Sequence, residues 1–260
     1  MSTIDELFGL SGKSALVTGG SRGIGRAIAE AFVRAGARVY ICSRNERSCE
    51  ETAGALSTFG TCIALPSNIA TDEGRQQLAS KLKARESSLN VLVNNAGAIW
   101  TAPLAEYPES GWDKVFDLNV KGSFFLIKEL VNLLEAAATP DNPSRIINVG
   151  SIDAFRIPPH ESYAYPASKA ALHQLTRQLA ATLAPRHITA NVIAPGLYPS
   201  KMLAAPSDPE AYRQLLAPIP LKRLASPADM AGAALFLASK AGSYVTAAVI
   251  PVDGGLATTL

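Results

Sequence analysis

The chain is 260 residues long and 48% hydrophobic, enough for one large α/β domain spanning 1–260 with a sizeable core. Its 24 Lys and Arg against 22 Asp and Glu leave a net charge of +2, which argues against a nucleic-acid surface or a polybasic membrane anchor. No apolar run approaches the roughly 20 residues of a bilayer span. The opening "MSTIDELFGL" lacks the basic start and apolar core of a secretory signal, and three cysteines without a Cys-x-x-Cys pair argue against disulfides or a metal site. The expectation is a cytoplasmic protein that binds no metal.

Seven short apolar runs, most of them rich in β-branched residues, alternate with helical patterns: 14–18, 38–42, 61–65, 90–94, 145–149, 189–193 and 248–252. Such runs fit strands buried on both faces, and the alternation predicts right-handed βαβ units. The fold class is therefore α/β, a Rossmann-type doubly wound seven-stranded parallel sheet with helices on both faces.

The first run leads directly into "TGGSRGIG", Thr18 to Gly25, and then a helical pattern. Gly19, Gly23 and Gly25 allow a tight turn and a close approach of a pyrophosphate to the backbone, beside the free N–H groups of a helix start. A tight strand-to-helix turn without a ligand also uses glycines, so the context of strand before and helix after carries the nucleotide reading. The second run ends in "ICSRN", where an NAD site usually places an acid for the ribose hydroxyl. Ser43 and Arg44 stand there instead, with Arg22 inside the glycine loop. Two arginines suit a 2′-phosphate through forked, charge-assisted hydrogen bonds, so the expected cofactor is NADP(H).

Farther along, Ser151 follows the fifth run, at the strand end where ligands of open α/β sheets bind. In "YAYPASK", Tyr165 and Lys169 share a helix face, and a lysine ammonium is expected to lower the tyrosine pKa for acid–base work. Tyr163 is a rival at the wrong spacing. His160 is a candidate pocket residue, while His173 and His187 are expected at the surface or in packing.

In order along the chain, "TGGSRGIG", "NNAG" (94–97), "LNV" (118–120), "GSID" (150–153), "YPASK" (165–169), "PG" (195–196) and "PVDGG" (251–255) make the sequence resemble the short-chain dehydrogenase/reductase family, and within it the 3-oxoacyl reductases. The resemblance implies a catalytic set of Ser151, Tyr165, Lys169 and Asn119. Tyr165 would give a proton to the substrate carbonyl, Ser151 would orient it, and Lys169 would tune the tyrosine and hold the nicotinamide ribose. Asn119 would kink its helix and hold a relay water. It also implies cofactor contacts from Ser21, Ile24, Asn68, Asn95, Ala96, Gly97, Pro195, Gly196, Tyr198 and Ser200. Asn68 and Ser200 depart from the aspartate and threonine usual at those places.

The expected activity is NADPH-dependent reduction of a carbonyl to a secondary alcohol, with a 3-oxoacyl thioester or related β-keto compound as substrate. A sugar, polyol or steroid dehydrogenase is the alternative enzyme, and a non-catalytic NADP(H) sensor the alternative of another class. The expected pocket wall is apolar, with few amides or acids: Ile99 and Trp100, then Ile152, Phe155 and Ile157, then Leu197, Tyr198, Met202, Leu203, Tyr212, Leu215 and Leu216 from a lid at about 197–220. Apolar residues within 124–134 and 170–183 suit a homotetramer or dimer face, or only packing on the sheet.

Overall fold

The structure is a computed structural model and describes residues 3–200 and 206–257, so Met202 and Leu203 lie outside the described residues. Each of the seven predicted runs forms a strand: β1 Ser14–Thr18, β2 Arg38–Cys42, β3 Cys62–Ala64, β4 Val91–Asn94, β5 Ser144–Val149, β6 Ile188–Pro195 and β7 Val249–Val252. They pair in parallel in the order β3-β2-β1-β4-β5-β6-β7. The order reverses between β1 and β4, where successive crossovers run to opposite sides and leave a crevice at the strand ends.

Nine α-helices follow among the described residues: α1 Ile4–Phe8, α2 Gly23–Arg34, α3 Glu46–Leu56, α4 Asp72–Lys83, α5 Glu109–Phe116, α6 Ser123–Ala137, α7 Ala164–Leu183, α8 Pro209–Leu216 and α9 Pro227–Ala238. Period-two alternation in the strands divides the core between the two sheet faces. Ala15 and Val17 of β1 join Ile28 and Phe32 of α2 and Leu237 of α9 on one side. Leu16 joins Leu78 of α4, Leu130 of α6 and Leu179 of α7 on the other. All three cysteines are free and buried, and burial pushes the Cys42 and Cys62 thiols up to about 12.

Two local features bear on the site. The helix before α6 is interrupted by a π-helical segment, Asp117–Gly122. The wider turn lets the Asn119 amide bond Ala98 in both directions: its Oδ1 accepts from the Ala98 N–H at 2.8 Å and its Nδ2 donates to the Ala98 carbonyl at 3.0 Å. Helix α8, within the expected lid, turns its apolar side chains inward. Tyr212, Leu215 and Leu216 pack on Ile152, Ile219, Leu224 and Leu256 in a small separate core. No helix among the described residues is long and apolar enough to cross a membrane.

Candidate active site

A cleft of about 920 Å³ opens at the carboxyl ends of the strands, across the switch point between β1 and β4. At one end lie Gly19, Ser21, Arg22, Gly23 and Ile24 of the glycine loop, with Ser43 and Arg44 from the end of β2 and Asn68 beyond β3. Asn95, Ala96 and Gly97 line the middle. Ser151, Tyr165 and Lys169 line the other end, with Pro195 at the end of β6 and Gly196, Tyr198 and Ser200 beyond it.

Gly25 and Asn119, the two remaining expected site residues, do not line the cleft but hold its walls. A Cβ on Gly25 would run into the Asn95 amide and the Gly19 carbonyl. Gly19 has φ +65°, and a Cβ there would meet Asn95 Nδ2 at 2.7 Å, so bare backbone is needed at the loop's tightest point. The Asn95 amide braces that loop by donating to the carbonyls of Thr18 at 2.8 Å and Gly19 at 3.2 Å. Thr18, which carried no signal as a site residue, accepts the N–H groups of Asn95 and Ala96 on its hydroxyl at 3.0 and 3.1 Å.

The phosphate end is electrostatically open. Helices α3, α4, α8 and α9 are capped by Asn45, Thr71, Asp208 and Ser226, whereas the Arg22 side chain makes no cap bond at the start of α2. That helix start keeps its N–H donors and positive dipole end for a ligand. The Arg22 and Arg44 guanidinium groups are exposed and have no hydrogen-bond or ion-pair partner among the described residues.

The reactive end is closed on itself. Lys169 is buried, and its ammonium donates to the Val149 carbonyl at 2.7 Å and sits 5.6 Å from the centre of the Tyr165 ring. Asn119 Nδ2 donates to Ser168 Oγ at 2.9 Å, and that hydroxyl donates to the Tyr165 carbonyl at 2.7 Å. Ser168 thus ties the π-turn to the first turn of α7, a role its place in "YPASK" does not announce.

The expected lowering of the Tyr165 pKa is corrected by this geometry. Burial pushes the phenol up to about 12; hydrogen bonding with Ser151 opposes the rise and the charge of Asp153 adds to it. The Lys169 ammonium, 5.6 Å from the ring centre, donates to the Val149 carbonyl, and burial pushes its own amine down to about 8.

The rival Tyr163 stands outside the cleft. Its hydroxyl donates to Glu161 at 2.5 Å and its ring packs edge-on against Tyr107 at 5.5 Å. His160 lines the cleft. His173 is buried behind Ser151: a Cβ on Gly150 would strike its Nε2, its ring lies 5.1 Å from Phe155, and burial beside Lys169 pushes it down to about 4.

Of the expected substrate wall, Ile99, Leu197 and Tyr198 line the cleft. Trp100 instead covers Gly111 under the Lys114 ammonium, Ile152 is core, and Phe155 and Ile157 are exposed and do not line the cleft. One acid, Asp153, lines the cleft with Ser151 and Tyr165, in keeping with the few acids expected there.

Residues 19–257 match the family model described as enoyl-(acyl carrier protein) reductase. A 3-oxoacyl-[acyl-carrier-protein] reductase of rhamnolipid biosynthesis from Pseudomonas aeruginosa is 48% identical over 95% of this chain and 97% of its own. The structure titled a Pseudomonas aeruginosa RhlG/NADP active-site complex superposes with a TM-score of 0.94 at 47% identity, covering 97% of this chain and 99% of that one. A galactitol 2-dehydrogenase from Cereibacter sphaeroides is 34% identical over 96% of each chain. With a parallel sheet in switch-point order, a glycine-loop cleft and matches of this extent, the chain belongs to the short-chain dehydrogenase/reductase family of oxidoreductases.

Proposed function

We propose that the protein is an NADPH-dependent ketoreductase that reduces 3-oxoacyl thioesters or related β-keto compounds. The observation that carries this reading is the sharing of one cleft by Ser151, Tyr165 and Lys169 at one end and the exposed Arg22 and Arg44 at the other. The uncapped start of α2 and the bare backbone at Gly19 fit a pyrophosphate, and the two arginines fit a 2′-phosphate. Ser21, Gly23, Ile24, Ser43, Asn68, Asn95, Ala96, Gly97, Pro195, Gly196, Tyr198 and Ser200 complete the proposed cofactor contacts.

When bound, NADPH supplies hydride. Tyr165 supplies the proton. With its phenol held up to about 12 it is protonated at neutral pH, yet it remains far more acidic than the secondary alcohol being formed. Ser151, hydrogen-bonded with Tyr165, orients the carbonyl between the two hydroxyls. Lys169 holds the ribose hydroxyls and, with a water held near Asn119, returns a proton to Tyr165.

The match to a 3-oxoacyl reductase and the apolar Ile99, Leu197 and Tyr198 support an acyl substrate, which gains ~0.8 kcal/mol for each buried CH₂. kcat/KM with NADPH is expected to rise over the first methylenes added to a 3-oxoacyl thioester. A preference for a keto-sugar or ketosteroid over every thioester would sink the acyl assignment.

The proposed oligomer face is the apolar hollow between the π-turn, α6 and α7, where Phe116, Val120, Phe124, Phe125 and Leu175 meet and Trp112 stacks on Phe116 at 5.0 Å. A second copy covering it is expected to give a dimer or tetramer mass by light scattering, and a monomer mass rules it out.

A further inference from the structure

Asp153 is the one acidic side chain among the described residues that line the cleft. Its position is fixed by the local fold. Ser151 caps a 3-10 turn, Ile152–Ala154, and the Asp153 N–H donates to the Ser151 hydroxyl at 3.1 Å. The acid is therefore tied through its own backbone to the oxygen that flanks the reacting carbonyl.

The Asp153 side chain is 16% exposed, so water screens its charge little. Its counter-charge, Arg156, approaches through Nε at 3.3 Å and does not line the cleft. Of this ion pair, Asp153 is the member that lines the cleft. The reach of that charge is visible at Tyr165, whose phenol it pushes in the same direction as burial does. Lys169, the cation of the reactive end, is buried and turned to the Val149 carbonyl, and His160 and Tyr198 are further titratable groups on the cleft wall.

We propose that Asp153 is a specificity-determining residue whose carboxylate, beside Ser151 and Tyr165, selects substrates that are neutral next to the reacting carbonyl and rejects the corresponding free 3-oxo acids. The inference rests on the ketoreductase reading. In a 3-oxo acid only one carbon separates the carboxylate from the carbonyl carbon being reduced. Once the carbonyl oxygen sits between Ser151 and Tyr165, the acid group cannot move far from Asp153. Two like charges in a poorly screened wall repel, so the free acid binds weakly. A thioester or ester carries no charge at that place and meets no such barrier. Arg156 sets the strength of the filter, because its guanidinium offsets part of the Asp153 charge.

The experiment compares kcat/KM with NADPH for 3-oxohexanoyl N-acetylcysteamine thioester and for 3-oxohexanoate, in the unsubstituted protein, Asp153→Asn and Arg156→Gln. The unsubstituted protein is expected to prefer the thioester. Asp153→Asn is expected to narrow that preference about tenfold, equal to about 1.4 kcal/mol, through a lower KM for the acid. Arg156→Gln is expected to widen the preference, because it bares the Asp153 charge. Opposite movement in the two variants separates a charge filter from mere damage to the loop, which would move both ratios the same way. If Asp153→Asn does not fold, widening in Arg156→Gln still supports the filter and no change overturns it. A preference unmoved in both variants, or moved in the same direction in both, overturns the inference while leaving the ketoreductase intact. No NADPH oxidation with either compound by the unsubstituted protein overturns the ketoreductase reading itself, and the filter with it.

Discussion

At the α2 end of the cleft the polar groups are left open, with an uncapped helix start and two arginines without partners among the described residues. At the α7 end they are closed on one another: Lys169 on the Val149 carbonyl, Asn119 on Ala98 and Ser168, Ser168 on Tyr165, and Ser151 with the Tyr165 phenol. The two ends face different physical problems. Exposed arginines and an open dipole cost little in water and are ready for an anion that brings its own charge. A proton donor has to keep one protonation state and one geometry, so its neighbours are committed before substrate arrives. A cleft that receives charge at one end and holds a proton at the other is suited to one reaction spanning both.

The sharpest way to break this comparison is to remove the proton from the closed end alone. Tyr165→Phe deletes only the phenolic oxygen and is expected to keep the fold and NADPH binding while losing turnover about 10²–10⁴-fold. The Tyr163→Phe variant is expected to be nearly as active as the unsubstituted protein, since that hydroxyl is bound to Glu161 outside the cleft. Steady-state rates of the two variants check this, and the reverse pattern would show that the other tyrosine carries the proton.

The open end is tested through cofactor choice. Arg44→Ala and Arg22→Ala are each expected to weaken NADPH more than NADH, with loss of a charge-assisted contact worth about 1.5–3 kcal/mol, roughly ten- to a hundredfold. The ratio of kcat/KM for the two cofactors is the measurement. If neither variant moves it, these are surface residues and the phosphate end is misassigned.

The smallest effect sharpens how tightly the reactive end is closed. His173, buried behind Gly150, is held down to about 4 against an ordinary 6.5 by burial, then by Lys169 and Arg177. Below pH 6.5 the unfolded chain takes up a proton that the folded protein refuses, so stability falls as pH falls from 6.5 toward 4. His173→Leu is expected to lose about 2 kcal/mol less stability than the unsubstituted protein on going from pH 7 to pH 5. Urea midpoints at the two pH values check it, and parallel loss in both proteins would mean that the imidazole is free to ionise.

Much of this was written in local patterns. The seven strands appear within one or two residues of their apolar runs, because a strand buried on both faces has to be apolar along its length. Gly19, Gly23 and Gly25 are legible because positive φ and close approach restrict the residue type, and Arg22 and Arg44 because an acid is missing where an NAD site would need one. The Tyr165–Lys169 pair follows from the helix period. These features depend on neighbours a few residues away, which is the range over which a sequence constrains its own geometry.

What the tertiary structure decided depends on contacts between distant segments. Spacing puts Lys169 beside Tyr165 but does not say that its ammonium turns to β5, so the direction of the tyrosine shift came from burial. An apolar lid reads the same whether its side chains face substrate or one another, and Tyr212, Leu215 and Leu216 turned to the small core under α8. The π-turn forms where Asn119 reaches Ala98, which lies in the loop after β4. Asp153 reads as an ordinary turn acid until the cap by Ser151 and the approach of α7 bring its carboxylate into the cleft wall. Local sequence sets which face of an element a residue occupies; only packing of the elements sets what that face meets, how dry it is and hence which charge it keeps.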